Sequence, residues 1–224
     1  MKKNMIIRLS NLSFSYPNGK RLFDGISFDF YPGEFYLIQG ASGAGKSTLL
    51  RLINRLEEAT DGEITYHGKP LTDYHAPLLR KKISYIQQTP AVIRGTIKEN
   101  LLLPFTFHGN RDQHKPDDET LSRQLQSFHL HGIDLNQPVE NLSVGQLQRI
   151  CLIRGLLLSP EVILLDEPTS ALDDDSAMVV ESKAESFCQT HQATVLMVSH
   201  RLFTPTMMKP RKIKMEEGKI REIT

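Results

Sequence analysis

The sequence predicts an α/β fold with a parallel-sheet core, antiparallel strands near the N-terminus and an inserted, mostly helical subdomain. Three observations carry that expectation. Residues 40–48 read Gly-Ala-Ser-Gly-Ala-Gly-Lys-Ser-Thr between an apolar run at 35–38 and a helical pattern at 49–56. This is the strand–loop–helix order of a phosphate-binding loop. Short apolar runs bounded by Gly and Pro recur before residue 88 and after residue 161, as strands do. Between them, residues 89–158 change to helical spacing. The reading is one domain: a P-loop NTPase core from 1–88 and 159–224, interrupted by a helical subdomain at 89–158.

The elements follow in order. Residues 6–12, 21–30 and 34–39 read as strands, separated by the turn signals Pro17-Asn18-Gly19 and Pro32-Gly33. The first helix runs over 49–56. Residues 62–68 form a strand ending in a turn, and 83–87 another. Apolar spacing then predicts helices at 96–103, 117–128 and 144–158, the second with acidic residues in its opening turn. The polar stretch 109–116 reads as a solvated loop. Strands return at 162–165 and 194–198, with a helix at 176–190 between them. Residues 211–222 form a hairpin that turns at Glu217-Gly218.

Composition narrows the function. An apolar content of 39 % supports a real core in 224 residues. A net charge of +1 gives no electrostatic case for nucleic acid, and none is expected as a partner. Cys151 and Cys188 lie far apart without metal-ligand spacing, which fits a reducing cytosol. No run reaches the roughly 18 apolar residues a membrane helix requires, and the N-terminal apolar stretch 5–9 is too short for a secretory signal. The expectation is a protein soluble when alone, with any membrane role supplied by a partner.

The phosphate loop carries the first chemistry. Backbone N–H groups of Gly40, Ala41, Ser42, Gly43, Ala44 and Gly45 can curl around a triphosphate. Lys46 can reach the β- and γ-phosphates, and Ser47, followed by Thr48, can hold Mg²⁺. Far downstream, residues 162–167 read Val-Ile-Leu-Leu-Asp-Glu, a buried-strand pattern ending in two carboxylates. Alone, that pair fits a solvated strand end equally well. Beside a phosphate loop, Asp166 suits the Mg²⁺ hydration shell and Glu167 suits polarising the water that attacks the γ-phosphate.

Between these motifs stands Leu142-Ser143-Val144-Gly145-Gln146, directly before an apolar helix. With it, nearly the whole chain resembles the ATP-binding subunit of an ATP-binding-cassette (ABC) transporter, whose signature reads Leu-Ser-Gly-Gly-Gln. Val144 replaces the first glycine. The resemblance implies ATP and Mg²⁺ as cofactors and a second copy of the chain as partner, forming a dimer that sandwiches two ATP molecules. Ser143, Gly145 and Gln146 would then contact the γ-phosphate held by the opposite copy. The plainer reading, a serine capping its own helix, is compatible with that role. Because valine disfavours positive φ, residue 144 is expected to take an ordinary negative φ with its side chain turned away from the phosphate.

The same resemblance places Tyr16 against adenine, with an ordinary strand-end aromatic as the alternative. It gives Gln88, with Gln87 as rival, to Mg²⁺ or the attacking water. Residues 170–173, ending in Asp173, resemble the dimer-contact loop, and His200 matches the histidine that contacts the γ-phosphate. His108, His114, His129 and His131 have no third ligand in view and read as surface residues. A separate integral membrane permease is implied, with the chain at the cytoplasmic face of the inner membrane, peripheral through that partner.

No appended regulatory domain or fused membrane domain is read in the chain. Residues 89–101 resemble exporter subunits, although Gln137-Pro138-Val139-Glu140-Asn141 stands where many exporters carry a Thr-Glu-Val-Gly-rich segment. The overall texture resembles small bacterial subunits associated with iron export. Residues 89–103 are expected to help line a groove for a short helix of the membrane protein, with Val92 and Ile93 either on that groove or in the core of the insert. Two other readings stand beside transport. A non-transport ABC ATPase of translation or DNA maintenance would usually show two cassettes or a coiled-coil insertion. A P-loop kinase or GTPase would leave residues 142–146 and His200 without a role.

Overall fold

Alternating apolar and polar residues build the N-terminal part into a half-buried antiparallel sheet. The computed structural model describes residues 4–201 and 203–223. Strand β1 (Ile7–Ser15) pairs with β2 (Arg21–Phe30) on one side and β4 (Asp61–Tyr66) on the other, and β5 (Lys69–Pro70) pairs with β4 at the edge.

The second sheet has six strands: β3 (Phe35–Gln39), β6 (Ile83–Ile86), β7 (Val162–Asp166), β8 (Thr194–Val198), β9 (Arg211–Glu216) and β10 (Lys219–Ile223). Their order is β10-β9-β3-β8-β7-β6, parallel throughout except for β10, which runs antiparallel to β9 at one edge. Every residue of β7 and β8 is buried, because both faces of this sheet are covered.

Side-chain alternation along β7 and β8 divides the interior into two cores. Val162, Leu164, Leu196 and Val198 face the antiparallel sheet and helix α1 (Lys46–Ile53). Ile163, Leu165, Val195 and Met197 face the helical side. That side contains α3 (Ile97–Leu102), α4 (Asp118–Ser127), α5 (Val144–Leu156) and α6 (Asp174–His191).

The helix starts differ from the sequence expectation for local reasons. α1 begins at Lys46 rather than 49, because Gly45 serves as its N-cap in the left-handed region at φ 94°. Thr96 and Asp117 lie outside α3 and α4 as N-caps; Thr96 forms a capping box with Glu99. α6 starts at Asp174, two residues before the expected start, with Asp173 as its cap. Helix α2 (Ala76–Lys82) was not expected. It has a proline in its first turn and buries only Leu79, so it carries no apolar stripe to read. The polar stretch 109–116 is largely exposed, but Asn110 is buried with its amide donating to the Pro104 carbonyl at 2.8 Å.

Neighbouring parallel strands β3, β8 and β7 end on one side of the sheet. The phosphate loop, His200 and the Asp166-Glu167 pair follow these three ends. The carboxyl ends of parallel strands are where open α/β sheets bind ligands.

Candidate active site

The loop after β3 turns directly into α1, whose N-terminus offers unpaired N–H donors and the positive end of the helix dipole. A Cβ on Gly45 would lie 2.6 Å from the Phe23 ring, so packing as well as φ demands glycine here. Lys46 is buried, and its Nζ donates to the carbonyls of Gly40 at 2.8 Å and Ala41 at 3.0 Å. Burial lowers the Lys46 pKa, while the charges of Glu167 and Asp166 push it back up.

Ser47 Oγ donates to Asp166 Oδ1 at 2.7 Å, and Tyr85 Oη donates to Asp166 Oδ2 at 2.8 Å. Both oxygens of this buried carboxylate are therefore fixed. Burial, followed by the neighbouring Asp166 charge, raises the Tyr85 pKa, so the phenol stays a donor. Sequence reasoning missed Tyr85. Its only signal was a polar tip on β6, the strand that pairs with β7.

Glu167 takes a left-handed conformation at φ 48°, and its N–H donates to the Val198 carbonyl at 3.1 Å. That bend brings its carboxylate between two side chains. Gln88 Nε2 donates to Oε2 at 3.1 Å, and His200 Nε2 lies 3.0 Å from Oε1. Gln88 also donates to Ser170 Oγ at 3.3 Å. Gln87 differs: its backbone carbonyl accepts from Gln148 Nε2 at 3.3 Å. Of the two glutamines, Gln88 meets the acidic pair.

Tyr16 is half-buried, with its hydroxyl 2.9 Å from Thr48 Oγ1 and its ring edge-on to Phe14. It thus lies against the helix that carries the phosphate loop.

A second group gathers at the start of α5. Ser143 caps the helix: its Oγ accepts from Gln146 N at 3.3 Å, and Gln146 Oε1 accepts from Ser143 N at 2.9 Å. Val144 is the first helical residue, lies outside the positive-φ set and is 53 % exposed. A Cβ on Gly145 would lie 3.1 Å from Leu172 Cδ2, so the signature packs beside the 170–173 loop. Asp173 Oδ1 accepts from Ser176 N at 2.8 Å, capping α6. Arg149 braces this corner by donating to the carbonyls of Gly145 and Phe128, both at 3.2 Å.

Lys46, Ser47, Gln88, Asp166, Glu167 and His200 thus form one cluster, and the signature residues form another with the 170–173 loop. The first combines a helix N-terminus, an ammonium, a hydroxyl–carboxylate pair and a carboxylate flanked by amide and imidazole. Phosphoryl transfer uses groups of these kinds to hold charge and orient a nucleophile.

The family model for ABC transporters matches residues 23–170, which span both clusters except His200 and residues 171–173. The chain belongs to the ABC transporter family. It carries that family's ATPase domain. It is 34 % identical over 195 residues to the probable iron export ATP-binding protein FetA of Escherichia coli K12, covering 87 % of this chain and 84 % of that one. It is 33 % identical to ABC transporter 1 of Ajellomyces capsulatus over 88 % of this chain but spans only 15 % of that larger protein. Among solved structures, it resembles the dimeric post-hydrolysis state of the ATP-binding cassette MJ0796 bound to ADP and Pi. That match has a TM-score of 0.81 and 27 % identity, covering 97 % of each chain. Among the described residues, no helix is long and apolar enough to cross a membrane.

Proposed function

We propose that this chain is the ATP-hydrolysing subunit of an ABC exporter, working as a homodimer around two MgATP and driving a separate membrane permease. The observation that carries the reading is Glu167, bracketed by Gln88 and His200 beside the Ser47–Asp166 hydrogen bond. Hydroxyl and carboxylate oxygens are the hard donors Mg²⁺ takes, so Ser47 and Asp166, with Gln88 nearby, fit that ion. Bound there, Mg²⁺ offsets the charge of the phosphate oxygens. Lys46 and the N–H groups of residues 40–48 hold the phosphates, and Tyr16 offers its ring to the adenine. Glu167 orients the attacking water and accepts its proton, with Gln88 and His200 fixing the carboxylate and His200 reaching the γ-phosphate. Ser143, Gly145 and Gln146 complete the site of the opposite copy, alongside the 170–173 loop and Asp173.

With the core taken as 1–88 and 159–224 and the helical subdomain as 89–158, residues of both line a groove of about 420 Å³, among them Tyr85, Gln87, Ala91, Phe107, Arg154 and Leu158. Its size and mixed lining suit a short helix of the permease. Of residues 89–103, only Ala91 lines it. Val92 packs against the helical-side core, and Ile93 is exposed with its N–H bonded to Asn100. The similarity to the FetA protein supports iron as cargo, and a subunit that consumes ATP beside a permease is placed, in this reading, at the cytoplasmic face of the cell membrane.

The test is reconstitution with the permease in vesicles, followed by ATP-dependent iron movement. Transport should require ATP and vanish with Glu167→Gln. ATP hydrolysis without iron movement would reject iron as the cargo, and failure to associate with any permease would reject the transport role.

A further inference from the structure

His200 is fixed by little of its own. Its side chain is 52 % exposed, and it meets Glu167 at 3.0 Å. The next residue is far more constrained. The Arg201 amide donates to Ser199 Oγ at 3.1 Å, and one guanidinium nitrogen lies 2.8 Å from Asp174 Oδ1. Its Nε lies 4.0 Å from Glu181 Oε1.

Asp174 and Glu181 are seven residues apart on α6, two turns along one face. Asp174 is 86 % exposed, so its ion pair contributes little by itself. Glu181 is different. It is 3 % exposed, and its Oε1 has no hydrogen-bond partner among the described residues. A buried carboxylate in that state attracts a nearby cation strongly, and Arg201 provides one. Burial raises the Glu181 pKa, and the Arg201 charge opposes that rise.

α6 also grips the chain beyond Arg201. The buried Glu185 carboxylate accepts the amides of Thr206 at 3.1 Å, Met207 at 2.5 Å and Met208 at 2.9 Å. One helix face therefore holds the segment after β8 at several points. The same helix is capped by Asp173, whose loop reaches Gln88 through Ser170.

We propose that Arg201 is a positioning residue. Docked on the Asp174–Glu181 face of α6, it sets the loop so that the His200 imidazole meets Glu167, and it ties that loop to the end of the 170–173 segment. This rests on the role given to His200 above.

The test is a set of ATPase measurements on the full chain in two backgrounds. Arg201→Ala should lower kcat about 10-fold while KM for ATP stays within about 2-fold, the signature of a group felt in the transition state. Arg201→Lys should recover part of the loss. In a His200→Ala background, Arg201→Ala should change kcat by less than about 2-fold, because a residue acting through His200 has nothing left to position. Asp174→Asn, a change at an exposed site, should lower kcat about 2-fold in the parent and leave the His200→Ala background unchanged. Equal losses in both backgrounds would overturn the proposal, as would a parent kcat untouched by Arg201→Ala. If His200→Ala itself leaves kcat intact, the role given to His200 fails first and the positioning role with it.

Discussion

Val144 stands where the signature this chain resembles has glycine, and its backbone adopts a conformation that does not require glycine. It is the first residue of a helix, at negative φ, with its side chain turned into solvent. Glycine's freedom is therefore not used at this position. Val144→Gly should change ATP turnover by less than about 5-fold, under ~1 kcal/mol. Gly145→Asp should nearly abolish turnover, because it sets a carboxylate beside Leu172 at the corner proposed to meet the γ-phosphate of the opposite copy. Steady-state kinetics on both variants decides the matter, and a tenfold rise for Val144→Gly would mean the valine weakens the site. The φ at residue 144 was legible in the sequence because a β-branched side chain excludes the alternative. The left-handed φ of Glu167 was not, since glutamate, like any residue with a Cβ, disfavours it, and the bend is accompanied by a hydrogen bond to Val198 on another strand. Tyr85 was missed for the same kind of reason: its partner lies on another strand.

At the scale of elements, Glu161 joins three of them just before β7. Tyr66 at the end of β4 donates to it at 2.6 Å, His67 lies at 2.8 Å and Lys82 at the end of α2 lies at 2.8 Å. Burial alone would raise the Glu161 pKa, but the hydrogen bonds from Lys82, Tyr66 and His67 outweigh it and hold the pKa at about 2. A carboxylate depressed in the folded state stabilises above its unfolded pKa and loses that contribution as pH falls through the folded value. Glu161→Gln should therefore lower Tm at neutral pH by roughly 2–4 °C, the equivalent of about 1 kcal/mol in a domain of this size, a modest figure because the site is partly exposed. The difference from the parent should shrink between about pH 4.5 and about pH 2. Thermal melts across that range test it, and a difference that persists at pH 2 contradicts it. The strands meeting here were legible because β7 is a continuous apolar run bounded by turns. α2 was not, because a seven-residue helix with one buried side chain leaves no period to detect.

For the whole molecule, two cores lie on opposite faces of one sheet, with the phosphate site at its strand ends and the groove proposed for the permease beside β6. The alternation along β7 and β8 specifies both cores. Sequence reasoning expected residues 89–103 to help line a groove for the permease. In the groove proposed above that stretch contributes Ala91, while β6, α2, residues 104–110 and α5 supply most of the lining, segments that meet only after folding. Phe107 is exposed at its rim. Phe107→Asp should leave the soluble ATPase rate within about 2-fold and reduce permease-dependent transport by at least ~10-fold, since a desolvated apolar anchor typically carries much of a docking interface. Vesicle transport with the variant tests this, and unimpaired transport would remove the groove from the coupling route.

In the proposed mechanism Glu167 orients the water for hydrolysis in a dimer closed by ATP. Glu167→Gln keeps the shape and removes the charge. Turnover should fall at least ~100-fold, about 2.7 kcal/mol of transition-state stabilisation, while ATP binding survives. The ATPase rate and the gel-filtration mass with MgATP, measured on the same preparation, test this directly. A silent enzyme eluting as a stable dimer is expected; near-normal turnover, or a monomer in the presence of MgATP, would remove Glu167 from this role.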